Sequence, residues 1–120
     1  VRVLAAEPEN CRALNAALEA GRPVDVAVDS VAADSLGATR VSAAALEAAQ
    51  GDHVRSVLVP DTAITAARRA LWEEHRIVVE PGAATALAAL RAEAEPPGKR
   101  VVVILCGANT DPGDLVSSGA

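Results

Sequence analysis

The chain has 120 residues and a formal net charge of −5, with 51% hydrophobic and 22% charged residues. This length suits one compact domain, and the composition excludes a disordered or collagen-like chain. The negative charge argues against phosphate backbones and anionic membrane surfaces as partners. The apolar runs also fall far short of the roughly 20 residues needed to cross a bilayer. We therefore expect neither a nucleic acid nor a membrane partner.

Two cysteines, Cys11 and Cys106, lie in different segments and lack the paired spacing of a zinc or redox site. Two free thiols are typical of a reducing compartment, so the sequence predicts a cytoplasmic protein. The chain opens at Val1, inside a predicted strand and without a Met, which predicts that further sequence precedes it.

Strand and helix signals alternate along the chain. Short apolar runs rich in β-branched residues predict four strands, at 1–6, 54–60, 76–79 and 100–106. Helical spacing, capping residues and alanine content predict four helices, at 7–21, 42–51, 61–75 and 80–94. Gly21 is expected to end the first helix and Asp61 to cap the third. Turn residues predict loops at the remaining segments, namely 22–42 with a turn at 34–37, a turn at 96–99, and a frayed tail after Pro112.

This alternation predicts an α/β fold, a three-layer arrangement of a parallel sheet flanked by helices. The last predicted strand runs directly into Cys106, Gly107 and Asn109. Open α/β sheets bind their ligands beyond the carboxyl ends of their strands. The sequence therefore predicts a ligand site around Cys106.

Five motifs in this order resemble the C-terminal part of the threonine and serine dehydratases, which belong to the tryptophan-synthase-β-like, fold type II group of pyridoxal-phosphate enzymes. The motifs read "AAEPEN", "VAADSLGA", "VLVPD", "IVVEPGAATALAAL" and "VVVILCGANTDP". The resemblance implies that 1–120 is a single α/β unit, the C-terminal portion of a catalytic domain whose N-terminal half is missing. It places the unit in the large domain of such an enzyme.

The resemblance also implies an activity, an ammonia-lyase that dehydrates and deaminates L-threonine or L-serine to 2-oxobutanoate or pyruvate. Its cofactor is pyridoxal phosphate, and such enzymes are usually homodimers acting on small amino acids. In this family the Schiff-base lysine and the glycine-rich phosphate loop precede the region seen here. The single lysine, Lys99, lies in a predicted turn before a strand and does not match that lysine. We therefore expect no catalytic residue in this chain, and no activity from the chain alone.

The family motifs assign four cofactor-binding residues. Cys106 would face the pyridine nitrogen of the cofactor, followed by Gly107, while Glu80 and Ser35 would lie near the ring. Three of them have a simpler interpretation: Cys106 as a buried apolar residue, Glu80 as an acid favoured at a helix N-terminus, and Ser35 as a turn residue. The second glycine of the family motif is Ala108 here, which changes the turn after Gly107.

A cation site, for Mg²⁺ or K⁺, is also implied by the resemblance. Glu7 matches a carboxylate that binds a cation in some relatives, together with the carbonyl of the residue at Cys11. A third ligand position is Ala13 here, so water would have to replace that ligand. The alternative is that Glu7 caps a helix.

Two other classes of function compete with the dehydratase. Acids after the first strand and Asp61 after a central strand also suggest a phospho-accepting receiver domain of a signalling protein. That class needs a pair of aspartates for Mg²⁺ and a lysine after its last strand, whereas this chain has Glu7 and Glu9, and Cys106. The other alternative is a non-catalytic homologue that acts as a binding module.

Overall fold

The structure, a computed structural model, describes residues 1–93 and 98–117. These residues form two strands and six helices, in the order β1 (Val3–Pro8), α1 (Ala13–Ala20), α2 (Ala33–Leu36), α3 (Ala43–Ala49), β2 (Val54–Val59), α4 (Asp61–His75), α5 (Pro81–Ala92) and α6 (Gly113–Ser117). A parallel sheet with flanking helices confirms the predicted α/β class.

The sheet consists of β1 and β2, which pair in parallel from Val3 opposite Val54 to Pro8 opposite Val59. Parallel neighbours need a crossover connection, and the segment carrying α1, α2 and α3 provides it. Since the strands run in the same direction, both carboxyl ends reach the same edge of the sheet. There α4 begins immediately after Pro60.

The core lies between the sheet and the helices α4 and α5, which pack against each other while α5 also contacts both strands. Small side chains dominate it, as the alanine content predicts, and close packing follows from their size. Its buried residues are Val57, Val59, Ile64, Ala67, Leu71, Val79, Ala83, Ala84, Ala88 and Ala89.

Helix ends follow the local sequence in two places. Gly21 adopts a left-handed conformation with φ of 71° and ends α1, which confirms the prediction. The Ser42 side chain accepts a hydrogen bond from the amide of Ala45 at 3.1 Å and caps α3.

The predicted capping role of Asp61 is wrong. Pro60 occupies the cap position, and Asp61 is the first residue of α4. Its carboxylate accepts hydrogen bonds from the Ser30 hydroxyl at 2.6 Å and from the Val31 amide at 3.0 Å. A contact distant in sequence therefore takes the oxygens that a local cap would have used, and Asp61 fixes the loop before α2 to the sheet edge.

Two of the four predicted strands, at 76–79 and 100–106, are not strands in the described part of the chain. Val79 is buried, but Val102 and Ile104 are 88% and 75% exposed. A β-branched run favours extended backbone, whereas a strand also requires a neighbour to share its ladder of hydrogen bonds. The sequence pattern indicates the preference for extended backbone, but it does not show whether a neighbouring strand is present.

Two segments predicted as irregular contain short helices instead. The turn at 34–37 is replaced by α2, and the tail predicted to be frayed contains α6, whose Leu115 is buried. The predicted turn at 96–99 lies partly outside the described residues. Among the helices described, none has the length and apolar character needed to cross a membrane.

Candidate functional site

The candidate site lies at the N-terminal end of α5, which the motif Glu80-Pro81-Gly82 begins. Glu80 is extended, with φ of −73° and ψ of 161°, and occupies the cap position, while Pro81 is the first helical residue. Proline is favoured there because its fixed φ suits the helix and its missing N–H would have had no partner within it. The predicted entry into this helix is therefore confirmed.

Gly107 lies directly against Glu80. The Glu80 amide donates a hydrogen bond to the Gly107 carbonyl at 2.9 Å. Gly107 has φ of 68°, in the left-handed region, and an added β-carbon would lie 2.5 Å from Cδ and 2.6 Å from Oε1 of Glu80. Both the backbone conformation and the available space therefore require glycine at this position.

Ser35 reaches the same helix end from the other direction. Gly82, in the first turn of α5, faces the Ser35 side chain so closely that an added β-carbon would collide with its Oγ and lie 3.1 Å from its Cβ. The contact holds α2 against α5. Three of the predicted cofactor-binding residues, Glu80, Gly107 and Ser35, are therefore brought to one end of one helix.

Cys106 precedes Gly107 in the chain, and its thiol is exposed. The interpretation of Cys106 as a buried apolar residue is therefore wrong for this structure. Together the four residues present a thiol, a carboxylate, a hydroxyl and the N-terminal end of a 12-residue helix. These groups can form hydrogen bonds to a polar heterocycle.

A surface cleft of about 600 Å³ lies elsewhere, between α1 and the segment 24–27. Its polar lining includes Arg12, Glu19 and Asp25, and it contains none of the four predicted cofactor-binding residues. The candidate site at the N-terminal end of α5 is therefore separate from this cleft.

Glu7 has a clear structural role in α1. Its Oε1 accepts a hydrogen bond from the Leu14 amide and its Oε2 accepts one from the Asn15 amide, both at 2.9 Å. These are the second and third amides of α1, which have no acceptor within the helix. Glu7 thus caps the helix from the end of β1, and its charge also suits the helix dipole.

Cys11, the other residue of the predicted cation site, is buried, and burial raises the pKa of its thiol. Hydrogen bonds from Ser30 and the Asp29 backbone oppose this shift only in part. Across residues 1–93 and 98–117, no group of three or more His, Cys, Asp or Glu side chains could hold a metal ion. The family site would use a backbone carbonyl as well, so a cation at Glu7 and Cys11 stays a prediction.

Sequence reasoning missed Arg68, a buried arginine of α4. Its Nε donates to the Val79 carbonyl at 2.8 Å, and its Nη1 contacts Oδ2 of Asp114 at 2.5 Å. The hydrogen bond from Arg68 lowers the pKa of Asp114. A signal was available, since Arg68 lies four residues after Ile64 and three before Leu71 and so shares their apolar face.

Comparisons with known proteins agree with this architecture. The family model described as pyridoxal-phosphate dependent enzyme matches residues 1–107. The chain is 39% identical to a phenylserine dehydratase of Ralstonia pickettii over 92% of its length, and 39% identical to a human serine dehydratase-like protein over 91%. It also matches the structure of maize serine racemase with a TM-score of 0.82 and 28% identity, over 99% of this chain and 38% of that one.

The chain spans about a third of the length of these curated relatives, 34% of the Ralstonia protein and 36% of the human one. The matches confirm the resemblance read from the five motifs. They also agree with the parallel sheet and flanking helices of the structure.

Replacing Gly107 with Ala should destabilise the protein more than the same change at Gly21. Both glycines have nearly the same φ, 68° and 71°, but nothing lies within 4 Å of a β-carbon added to Gly21. The shared backbone cost is about 1–2 kcal/mol. Gly107→Ala should add about 1 kcal/mol because the bond to Glu80 is loosened. Urea unfolding of both variants measures the difference, and equal losses would show that the contact with Glu80 is unimportant.

Replacing Glu7 with Gln should lower the free energy of unfolding by about 1 kcal/mol in metal-free buffer, because one of the two capping acceptors becomes a donor. Thermal or urea unfolding with and without added Mg²⁺ or K⁺ separates capping from cation binding. Glu9→Gln, at an exposed neighbouring acid, is the matched control and should change little. A loss that occurs only when a cation is present would contradict the capping role and support the cation site.

Proposed function

The chain belongs to the family of pyridoxal-phosphate dependent enzymes, and we propose that the protein carrying it dehydrates and deaminates L-serine or L-threonine. The products would be pyruvate or 2-oxobutanoate. Relatives named as dehydratases support this type of reaction. The observation that carries the proposal is the contact between Glu80 and Gly107, which brings residues of two separate family motifs to the N-terminal end of α5. The family match leaves a receiver domain without support.

The residues present fit one side of pyridoxal phosphate. The chain offers an exposed thiol at Cys106, next to a glycine held in left-handed conformation against a carboxylate. Such groups suit the edge of a polar heterocycle. A phosphate group would need a glycine-rich loop that presents several backbone amides to it. The sequence contains no glycine-rich run of this kind. We therefore assign the ring side of the site to this chain and the phosphate side to another part of the protein.

Cys106 would lie against the pyridine nitrogen. The chemistry that bound pyridoxal phosphate supplies is electron withdrawal from the α-carbon of the amino acid. A thiol is a weak hydrogen-bond donor and, unlike a carboxylate, does not hold a proton on that nitrogen. Elimination suits this arrangement because the departing β-hydroxyl carries the electrons away.

Glu80, Gly107 and Ser35 would position the ring. Gly107 brings the backbone close to Glu80, and the thiol of the preceding residue would lie beside that carboxylate. Ser35 would contribute a hydroxyl at the first turn of α5. Its close contact with Gly82 would keep α2 and α5 together and so limit the width of the site.

The proposal extends to the whole protein. Residues 1–120 would form the C-terminal portion of its catalytic domain, and the lysine that holds the cofactor would lie outside this chain. The enzyme would be a homodimer, as the family resemblance implies. It would be cytoplasmic, which the two free cysteines support. A cation at Glu7 and Cys11 would be an additional feature of that enzyme.

The isolated 120-residue chain should show no dehydratase activity and no absorption from protein-bound cofactor when pyridoxal phosphate is added. The reason is that its one lysine, Lys99, does not match the Schiff-base lysine of the family, and the chain has no glycine-rich phosphate loop. Spectroscopy, borohydride reduction followed by peptide mapping, and assays with serine and threonine test this. A stoichiometric adduct on Lys99 together with turnover would contradict the proposal.

Replacing Cys106 with Ser in the full-length enzyme should change elimination by no more than about tenfold, or roughly 1.4 kcal/mol of barrier, because a hydroxyl can take the same hydrogen-bonding role. Cys106→Asp should lower turnover much further, since a carboxylate would hold a proton on the pyridine nitrogen. Steady-state rates for serine and threonine, with absorption spectra of the bound cofactor, measure both effects.

The matched control for the added charge is Ala44→Asp, at an exposed position in the first turn of α3 where a carboxylate is tolerated. It should leave turnover unchanged. If Cys106→Asp leaves turnover unchanged, Cys106 has another role. The same conclusion follows if Cys106→Ser is inactive and alkylation of the thiol in the parent enzyme blocks a covalent step. Racemisation of serine without elimination would replace the proposed reaction with a different one.

A further inference from the structure

We propose that Arg68 is a positioning residue for the cofactor site, because its guanidinium fixes the segment leading into Glu80 relative to the segment that follows Gly107. The inference rests on the proposed function, in which Glu80 and Gly107 lie beside the cofactor ring. Arg68 itself would contact neither cofactor nor substrate.

The burial of Arg68 requires an explanation. Only 7% of this residue is exposed, although arginine is rarely buried unless its charge and donors are satisfied. It finds three acceptors in two segments distant in sequence: the Val79 carbonyl, the Asp114 carboxylate and the Asp111 carbonyl. A planar guanidinium can serve several acceptors in fixed directions at once, which a lysine ammonium on a flexible stem cannot do.

One arm of Arg68 holds the entry to α5. Its Nε donates to the carbonyl of Val79 at 2.8 Å, and Val79 is buried directly before Glu80. The segment 76–79 begins at Arg76 in left-handed conformation, with φ of 55°, and has no strand partner in the described part of the chain. The Arg68 side chain therefore supplies a hydrogen bond that a neighbouring strand would otherwise provide, and it sets the position of the backbone at Glu80.

The other arm holds the chain beyond Gly107. Nη1 contacts the Asp114 carboxylate at 2.5 Å, and Nη2 donates to the Asp111 carbonyl at 3.4 Å. Asp111 also accepts from the Gly113 amide at 2.8 Å through its own Oδ1, which closes a compact turn before α6. Buried Leu115 anchors this turn to the body of the protein.

The two segments are also joined directly, by the hydrogen bond from the Glu80 amide to the Gly107 carbonyl. Arg68 and this hydrogen bond therefore connect the same two segments at two separate points. One hydrogen bond alone would permit rotation about it, whereas two connections fix both distance and angle. The position of Glu80 relative to Gly107 thus depends on the guanidinium.

The test uses the full-length enzyme with Arg68→Met, Arg68→Lys and Asp114→Asn. The matched control is Arg55→Met, which removes the exposed ion pair with Glu93 at the opposite end of α5. The readouts are the Kd for pyridoxal phosphate, the visible circular dichroism of the bound cofactor, and hydrogen exchange of the Glu80 amide. The exchange measurement does not require the cofactor.

Arg68→Met should weaken cofactor binding by about tenfold or more, alter the visible dichroism and speed exchange at Glu80. Arg68→Lys should have a smaller effect, because it keeps a positive charge beside Asp114 but loses the planar guanidinium that serves several acceptors at once. Asp114→Asn should have an effect in the same direction, and Arg55→Met should match the parent. If Arg68→Met does not fold, the same three measurements on Arg68→Lys and Asp114→Asn test whether Arg68 positions the site.

Variants of Arg68 and Asp114 that match Arg55→Met in Kd, dichroism and Glu80 exchange would overturn the inference. A uniform rise in exchange across β1, β2 and Glu80 would do so as well, because it would indicate general destabilisation. If the parent enzyme binds no pyridoxal phosphate, the proposed function fails, and the exchange of the Glu80 amide alone decides whether Arg68 positions this segment.

Discussion

The close packing of α5 on the sheet and on α4 is the constraint on which the site depends. Ala83, Ala84, Ala88 and Ala89 give that helix a buried face of small side chains, so its backbone can approach its neighbours closely. Larger residues would move the helix away from the sheet. Because Glu80 is the first residue before this helix, any such shift would also displace the candidate site.

At the N-terminal end of α5, two glycines allow equally close contacts because they have no β-carbon. Gly82 accommodates Ser35, and Gly107 accommodates Glu80. The first contact attaches the crossover segment, and the second attaches the chain that follows α5. Side chains from the crossover segment and from the entry to α5 therefore lie close to glycine backbone, beside a sheet that has two strands in the described residues.

Local patterns were sufficient for much of this fold. The helices α4 and α5, the end of α1 at Gly21 and the strands β1 and β2 follow from periodicity, capping and β-branched content. Features that depend on distant partners could not be read in this way. Asp61 bonds to Ser30 and Val31 instead of capping its own helix. Within the described residues, 101–105 lacks the paired neighbour that would make it a strand. For the site, family motifs indicated Glu80, Ser35, Cys106 and Gly107. The sequence placed Arg68 on the apolar face of α4, but its acceptors lie in distant segments that a local pattern does not show.

The different surroundings of the two cysteines have a practical consequence. Cys11 is buried with a raised pKa, so it contributes little thiolate at neutral pH, while Cys106 is exposed. A maleimide or a thiol-reactive fluorophore will therefore label the native chain mainly at one position, beside Gly107. The unmodified sequence thus carries a single attachment point for a spectroscopic reporter at the candidate site.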